Sequence, residues 1–267
     1  MTAITTIKAA SAGRHSGSTR SWLPGAVGIL GTLSVWQLIG MTNIGESRMI
    51  PAPTAVIAKI FEDGWSFYGP NIETTVREAA WGWLFGNTVA ISLAIVFLLF
   101  PIIEKAGMRM AIAAYCLPII AIGPILQILY AGDTPKIILS ALTCFFTTLI
   151  GATLGLRSAD RTSIDLVSAY GGGQWKVMRK VRFKSSLPAL FAGLRVAAPA
   201  AVLGAIIAEY LGGDNGLGVS MVASQQSLNV ERTWGIALVS TTIAGIGYGL
   251  TALVGRRLTP WIPRNAR

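Results

Sequence analysis

Between Lys136 and Arg157 the chain reads "IILSALTCFFTTLIGATLGL", 20 residues without a charge. Lipid offers the backbone no hydrogen-bond partner, so a stretch of this kind has to satisfy its own N–H and C=O groups, as a helix does. A hydrocarbon core of ~30 Å takes about 20 helical residues at ~1.5 Å each. Five further blocks share this character and complete six predicted spans: Leu23–Gly40, Thr75–Phe100, Met110–Tyr130, Lys136–Leu156, Leu187–Leu211 and Trp234–Val254. The breaks between them are turn-like or charged, among them "MTNIGESRMIPAP", "PIIEKAG", "AGDTP" and "GGDNGLG". The chain therefore reads as all-α, a polytopic membrane protein with about six transmembrane helices.

Only 13% of the residues are charged, against about 25% in soluble domains, and 52% are hydrophobic. A formal net charge of +10 would suit nucleic acid if Lys and Arg were gathered on a solvated domain, but they sit between apolar blocks. No nucleic-acid partner is expected. Cys116 and Cys144 both fall inside apolar blocks, where a thiol packs as a small hydrophobe, so neither a disulfide nor a metal framework is indicated. His15 is the only histidine and lies in a polar tail, which argues against histidine-based catalysis and zinc ligation. No catalytic residue, metal or cofactor is expected on the chain itself.

Residues 1–20, rich in Ser, Thr, Gly and Ala, read as a disordered tail, and 261–267 as a second short tail, flanking a transmembrane domain over 21–260. The block after Trp22 runs on without a small-residue cleavage site, so it reads as a retained helix and not as a signal peptide. With the amino end in the cytoplasm, the inside segments hold Lys105, Arg109, Arg157, Arg161, the basic run from Lys176 to Lys184, Arg256 and Arg257. The outside segments hold mainly Arg48, Lys59, Lys136 and Arg232, with most of the acids. Positive loops stay on the cytoplasmic side, so both termini are expected there. Gly151 with Gly155, and Gly204 with Ala208, either bring helices into close contact or are simply tolerated in lipid. Gly245, Gly247 and Gly249 are expected to be packing positions, because a nucleotide-binding glycine loop needs a strand before it.

By this topology residues 157–186 form the longest internal loop, and they face the cytoplasm. Ile164, Val167 and Tyr170 recur at helical spacing, and a second helical run follows Gly171–Gly173. On that run Trp175, Val177, Met178 and Val181 share one broad side, and Lys176, Arg179, Lys180 and Lys184 lie mostly on the other. Two short helices joined by a glycine bend are predicted. An amphipathic basic helix can simply lie on anionic lipid, but a bend and an acidic start at Asp165 make a compact knob suited to a groove on a soluble partner.

The stretch "DLVSAYGGGQWKVMRKVRF" resembles the cytoplasmic signature of ATP-binding-cassette importer permeases, Glu-Ala-Ala, three residues, Gly, nine residues, then Ile-x-Leu-Pro. Asp165 takes the Glu place, Leu166 and Val167 the two Ala places, Gly171 the Gly place and Val181 the Ile place, while Phe183 stands for Leu and Lys184 for Pro. "MIPAPTAVIAKIF", "LPIIAIGPILQILYAGDTPKIIL" and "SSLPALFAGLRVAAPAAVLGAIIAEYLGGDNGLG" are similar to segments of the nitrate, sulfonate and taurine permease subfamily. The resemblance implies a type I importer permease fold in the cell inner membrane. It implies two separate ATP-binding subunits that carry ATP and Mg, a second permease copy or paralogue, and an extracytoplasmic solute-binding protein. The cargo it implies is a small solute such as a sulfonate, taurine, nitrate or a vitamin precursor. ATPase coupling falls on Asp165, Leu166, Val167, Tyr170, Gly171, Trp175, Met178 and Val181, with Trp175, Met178 and Val181 as the apolar anchor. Lys176, Arg179 and Lys180 suit either acidic rims on the ATPase or lipid phosphates. No "GxxxxGK[ST]" loop occurs in the chain, so the driving energy has to enter through another subunit.

Charges inside spans are costly and invite a functional reading. Arg195, about two turns into the fifth span, suits pairing, snorkelling or contact with solute. Glu209, at the outer end of the same span, suits the binding protein, a loop amide, water or the translocation path. Gln127 and a break at Gly123–Pro124 are candidates for lining that path, a packing kink being the alternative. A secondary transporter would need intramembrane acids for ion coupling, and Glu78 and Glu209 near span ends are almost the only ones. A membrane enzyme would need clustered His, Asp or Glu, which the single histidine argues against.

Overall fold

The computed structural model describes residues 23–42 and 49–261. The expected tail at 1–20, all but the first residue of the tail at 261–267, His15 and Trp22 lie outside the described residues. The described residues contain helices and no strand. A first compact unit ends at Thr54 and carries α1 (Leu23–Met41), in agreement with the first expected span. Within this unit Trp36 Nε1 donates to the Pro51 carbonyl (3.1 Å) and Gln37 Nε2 to Thr54 Oγ1 (3.1 Å), so the chain after α1 returns along its last turns.

The second unit begins at Ala55. Its helices are α2 (Pro53–Leu99, whose first two residues belong to the first unit), α3 (Pro101–Tyr115), α4 (Ile119–Leu129), α5 (Thr134–Arg157), α6 (Arg161–Ala169), α7 (Gln174–Val177), α8 (Phe183–Gly212), α9 (Leu217–Gln226) and α10 (Val230–Leu258). The second expected span began at Thr75, yet α2 starts at Pro53 and is interrupted at Gly64, where φ is 65° and ψ −174°. Charge excludes a residue from lipid but not from a helix, so hydropathy missed the turns that carry Lys59, Glu62, Asp63 and Glu73. From Trp65 to Leu99 the helix is about 52 Å long at ~1.5 Å per residue, more than a ~30 Å core requires.

The third expected span, Met110–Tyr130, is not one helix. It is shared between α3 and α4, which meet at 93°. The break lies at Cys116–Pro118 and not at Gly123–Pro124. Pro118 lacks an N–H and pushes Leu117 out of helical conformation, so α3 stops and α4 restarts. Pro124 is accommodated inside α4, where Gly123 packs against Leu211. At 15 and 11 residues, α3 and α4 would run about 22 and 16 Å, and neither crosses the core alone. α9, in what hydropathy reads as a loop, was not anticipated.

α5 and α8 form the central pair. A Cβ on Gly151 would lie 3.0 Å from the Ala189 carbonyl, one on Gly155 2.7 Å from the Ser186 carbonyl, and one on Gly204 2.8 Å from the Ser140 Cα. The small residues thus serve close approach and are not merely tolerated. That approach lets Ser140 Oγ donate to the Ala201 carbonyl (2.8 Å) and Thr143 Oγ1 to the Ala200 carbonyl (2.8 Å). α2 packs on α5 in the same way through Gly82 and Gly86, and Thr148 Oγ1 meets Asn87 Oδ1 at 2.5 Å. Phe97, Leu149, Leu156, Leu190 and Leu194 fill the core between α2, α5 and α8. Of the three α10 glycines expected to pack, only Gly247 does so within the chain, 3.7 Å from Ala198 for an added Cβ. Gly245 and Gly249, about half a turn away, face open space and are not packing positions here.

Candidate functional site

The segment 157–186 is a helical hairpin. Arg157 closes α5 and pairs with Glu104 of α3. Ser158 Oγ donates to the Gly155 carbonyl (2.8 Å) and to the Ser185 carbonyl (3.1 Å), which ties the two ends of the hairpin together. Asp160 caps α6, its carboxylate accepting from the Ser163 N–H (3.1 Å).

The three glycines have different duties. The Gly171 N–H donates to the Ser168 carbonyl and the Gly172 N–H to the Val167 carbonyl, both at 2.9 Å, the paired bonds of a Schellman helix end. Gly171 takes the left-handed conformation this requires, with φ of 72°. A Cβ on Gly172 would sit 2.5 Å from the Val167 side chain and carbonyl, so Gly172 answers close approach. Gly173 caps α7 and faces open space.

α7 passes through a single π-type stretch, Met178–Arg182, directly into α8, so knob and span form one continuous helix. The apolar residues expected on one broad side divide between two environments. Val177 is buried and Met178 packs on the core cluster, whereas Trp175 and Tyr170 are 75% and 85% exposed, and Leu166 is exposed too. Asp165 is exposed, and Val167 and Val181 are half-buried.

At the opposite end of α8, Glu209 is buried. Its carboxylate accepts from Thr75 Oγ1 (2.7 Å) and from the Gly218 N–H at the start of α9 (2.6 Å). Thr75 Oγ1 in turn accepts from the Leu217 N–H (3.0 Å), and Asn71 Oδ1 from the Gly216 N–H (3.2 Å). Of the partners anticipated for Glu209, the structure places the loop amide, that of Gly218, and adds the Thr75 hydroxyl, which was not expected. Gln127 Nε2 donates to the Ala208 carbonyl (3.1 Å), which joins α4 to the same end of α8. One helical turn along α2, Glu78 is fully buried and accepts from Lys136 Nζ of α5 (2.9 Å). Lys136 also reaches Asp133, which bonds Arg77 (2.8 Å). Thr75, Asn71, Lys136 and the glycines at 216 and 218 went unread in the sequence, although opposite charges at the ends of neighbouring spans, Glu78 and Lys136, were a usable signal.

Arg195 has no carboxylate within ion-pair reach among the described residues, and its buried Nε has no hydrogen-bond partner. Its guanidinium sits 5.8 Å from the ring centroid of Tyr248 on α10. A cavity of about 580 Å³ opens between α2, α8 and α10, lined by Val76 and Trp83, Phe191 and Ala198, and Gly247 and Thr251 among others. Arg195 follows Phe191 and precedes Ala198 on one stripe of α8 and so stands at the margin of this cavity without lining it, while Glu209 and Gln127 are engaged in contacts within the chain.

Residues 65–260 match the family model described as binding-protein-dependent transport system inner membrane component. A probable ABC transporter permease protein of Haemophilus influenzae is 26% identical over 219 residues, 82% of this chain and 88% of that protein. The formylaminopyrimidine transport permease protein of Halalkalibacterium halodurans is 23% identical over 85% of this chain and 91% of its own length. The taurine transport system permease protein of Escherichia coli is 25% identical over 86% of each. The match runs from the kink in α2 to just past the end of α10 and takes in the whole α6–α7 hairpin. With the all-helical fold and several helices long and apolar enough to cross a membrane, the chain belongs to the inner-membrane components of binding-protein-dependent transport systems, the permease subunits of ABC importers.

Proposed function

We propose that this permease moves a small solute across the cell inner membrane, delivered by an extracytoplasmic binding protein and driven by two separate ATP-binding subunits that dock on residues 165–184. The observation that carries the reading is the exposed hairpin whose second helix is continuous with α8. Tyr170 and Trp175 supply exposed aromatic anchors, Leu166 adds apolar surface, and the left-handed Gly171 fixes the bend that presents them. Asp165, Val167, Met178 and Val181 support that surface from beneath or beside it. ATP and Mg belong to the docked subunits. Their closure pushes the hairpin, and because no flexible joint separates α7 from α8 the push becomes a rigid-body displacement of the span.

In this arrangement the hairpin and both termini lie in the cytoplasm, and the Glu209 end of α8 faces the binding protein. A second copy or a paralogous permease completes the path, with Arg195, Gln127 and Glu209 on or near it. The relatives' names point to sulfonates, taurine or a formylaminopyrimidine as cargo classes, with nitrate and a vitamin precursor among the small solutes the subfamily resemblance adds. An ion-coupled secondary transporter fits less well, because Glu78 and Glu209 are both engaged by partners within the chain.

The test is co-purification of the chain with a separate ATP-binding subunit from its host membrane. Wild-type chain should retain it, and Gly171→Asp and Trp175→Glu should lose it while still inserting in the membrane. Retention by both variants would overturn the docking role.

A further inference from the structure

We infer that Arg195 is the contact for an oxyanion on the transported solute, a sulfonate, carboxylate or phosphate group; the inference rests on the permease reading above and names the chemistry of its cargo. Arg195 lies twelve residues beyond Phe183, about 18 Å along α8. The ring under its guanidinium, Tyr248, is ten residues from the end of α10 at Leu258, about 15 Å. With its guanidinium at the ring of Tyr248, the charge rests between α8 and α10, short of the ends of both helices.

A guanidinium there requires a counter-charge, and none lies within ion-pair reach among the described residues. The intramembrane acids are spoken for: Glu78 by Lys136, and Glu209 by Thr75 and the Gly218 amide. Asp63 is held by Arg232 and Lys59. A tyrosine face eases the cost of a buried cation but does not neutralise it, and the Nε–H stays buried with no acceptor.

Geometry next to the charge fits an organic anion. Phe191, Arg195 and Ala198 follow one another at helical spacing on one stripe of α8, and Phe191 and Ala198 line the cavity of about 580 Å³. Gly247 and Thr251, which flank Tyr248 in sequence, line it from α10, and Trp83 from α2. Apolar walls beside one forked donor give a weak, orientation-dependent site: the guanidinium takes two oxygens of the anion while the carbon skeleton occupies the cavity.

The test uses the full-length chain in phosphatidylcholine nanodiscs, with ethanesulfonate as probe and dimethyl sulfone as its uncharged counterpart at matched ionic strength. Ethanesulfonate should raise the wild-type Tm by about 2–4 °C and dimethyl sulfone should not. Arg195→Gln should abolish the rise, Arg195→Lys should keep part of it, and Tyr248→Phe, which preserves the ring, should keep most. The lysine and phenylalanine variants retain a readout if Arg195→Gln does not fold. An equal rise in Arg195→Gln, or no rise in wild type, overturns the inference. So does a wild-type rise produced only by exchanging in phosphatidylglycerol, which would make a lipid phosphate the partner. ATPase capture on the same preparations separates the two readings, since its failure counts against hairpin docking and leaves the anion contact standing.

Discussion

Thr75 and Glu209 are 134 residues apart in sequence and share a 2.7 Å hydrogen bond in the protein interior. The hydroxyl donates to the carboxylate and at the same time accepts from the Leu217 N–H, so one side chain joins α2, α8 and the start of α9. A motion of α8 cannot leave α9 behind while this junction holds. It is the natural link between a push at the hairpin and a response at the other end of the span.

Thr75→Val removes both roles of the hydroxyl at nearly constant volume. Glu209 loses one donor and the Leu217 N–H its acceptor, and leaving buried groups unsatisfied costs about 1–3 kcal/mol. Thermal unfolding in nanodiscs should show a lower Tm for Thr75→Val and a value near wild type for Thr75→Ser. Equal losses in both would assign the effect to packing of the methyl group and not to the bond.

Glu78 and Lys136 allow a cleaner test of a buried pair, since their side chains are 0% and 6% exposed. Lys136→Met strands a carboxylate, and breaking such a pair from one side typically costs about 3–5 kcal/mol. Replacing both partners, Glu78→Gln with Lys136→Met, should recover most of the loss, giving a coupling term in a double-mutant cycle. Additive effects would mean that the 2.9 Å contact contributes little.

These contacts mark where the sequence stopped being legible. The spans could be read because lipid imposes one local demand, continuous apolarity, on every turn of a helix. The hairpin could be read because Gly171 and the amphipathic run act on their near neighbours, whereas the cap at Asp160 went unread. Thr75 looked like the first residue of a span, and only a fold that brings it to Glu209 makes it a junction. The third span failed for a related reason. Pro118 and Pro124 look alike to a local rule, yet the helix breaks at the first and runs through the second, where Gly123 lies against Leu211.

Close approach of α5 and α8 predicts a contrast among glycines. Gly155→Val would drive a side chain into the Ser186 carbonyl and the Ala189 methyl, an overpacking cost of about 1–3 kcal/mol. Gly249→Ala, with nothing within 4 Å, should change the stability of the chain by no more than about 0.5 kcal/mol. Limited proteolysis of the two variants in the same lipid would read the difference. Equal resistance would argue against the interface as the determinant of stability.

The triple glycine yields a graded series. Gly171→Ala must place a Cβ at φ of 72°, which costs about 1–2 kcal/mol for an L-residue. Gly172→Ala keeps an ordinary backbone but meets both the Val167 side chain and the Val167 carbonyl at 2.5 Å, so it fails by collision, and Val167→Ala, which clears the side chain and leaves the carbonyl, should not restore it. Gly173→Ala meets nothing and should behave as wild type. Measured as ATP-driven transport, activity should therefore fall for alanine at 171 and at 172 and hold at 173, with Val167→Ala restoring neither. Relief of either variant by Val167→Ala would show that side-chain contact, and not the backbone, sets the bend. Equal tolerance at all three positions would mean that the hairpin's shape does not govern coupling.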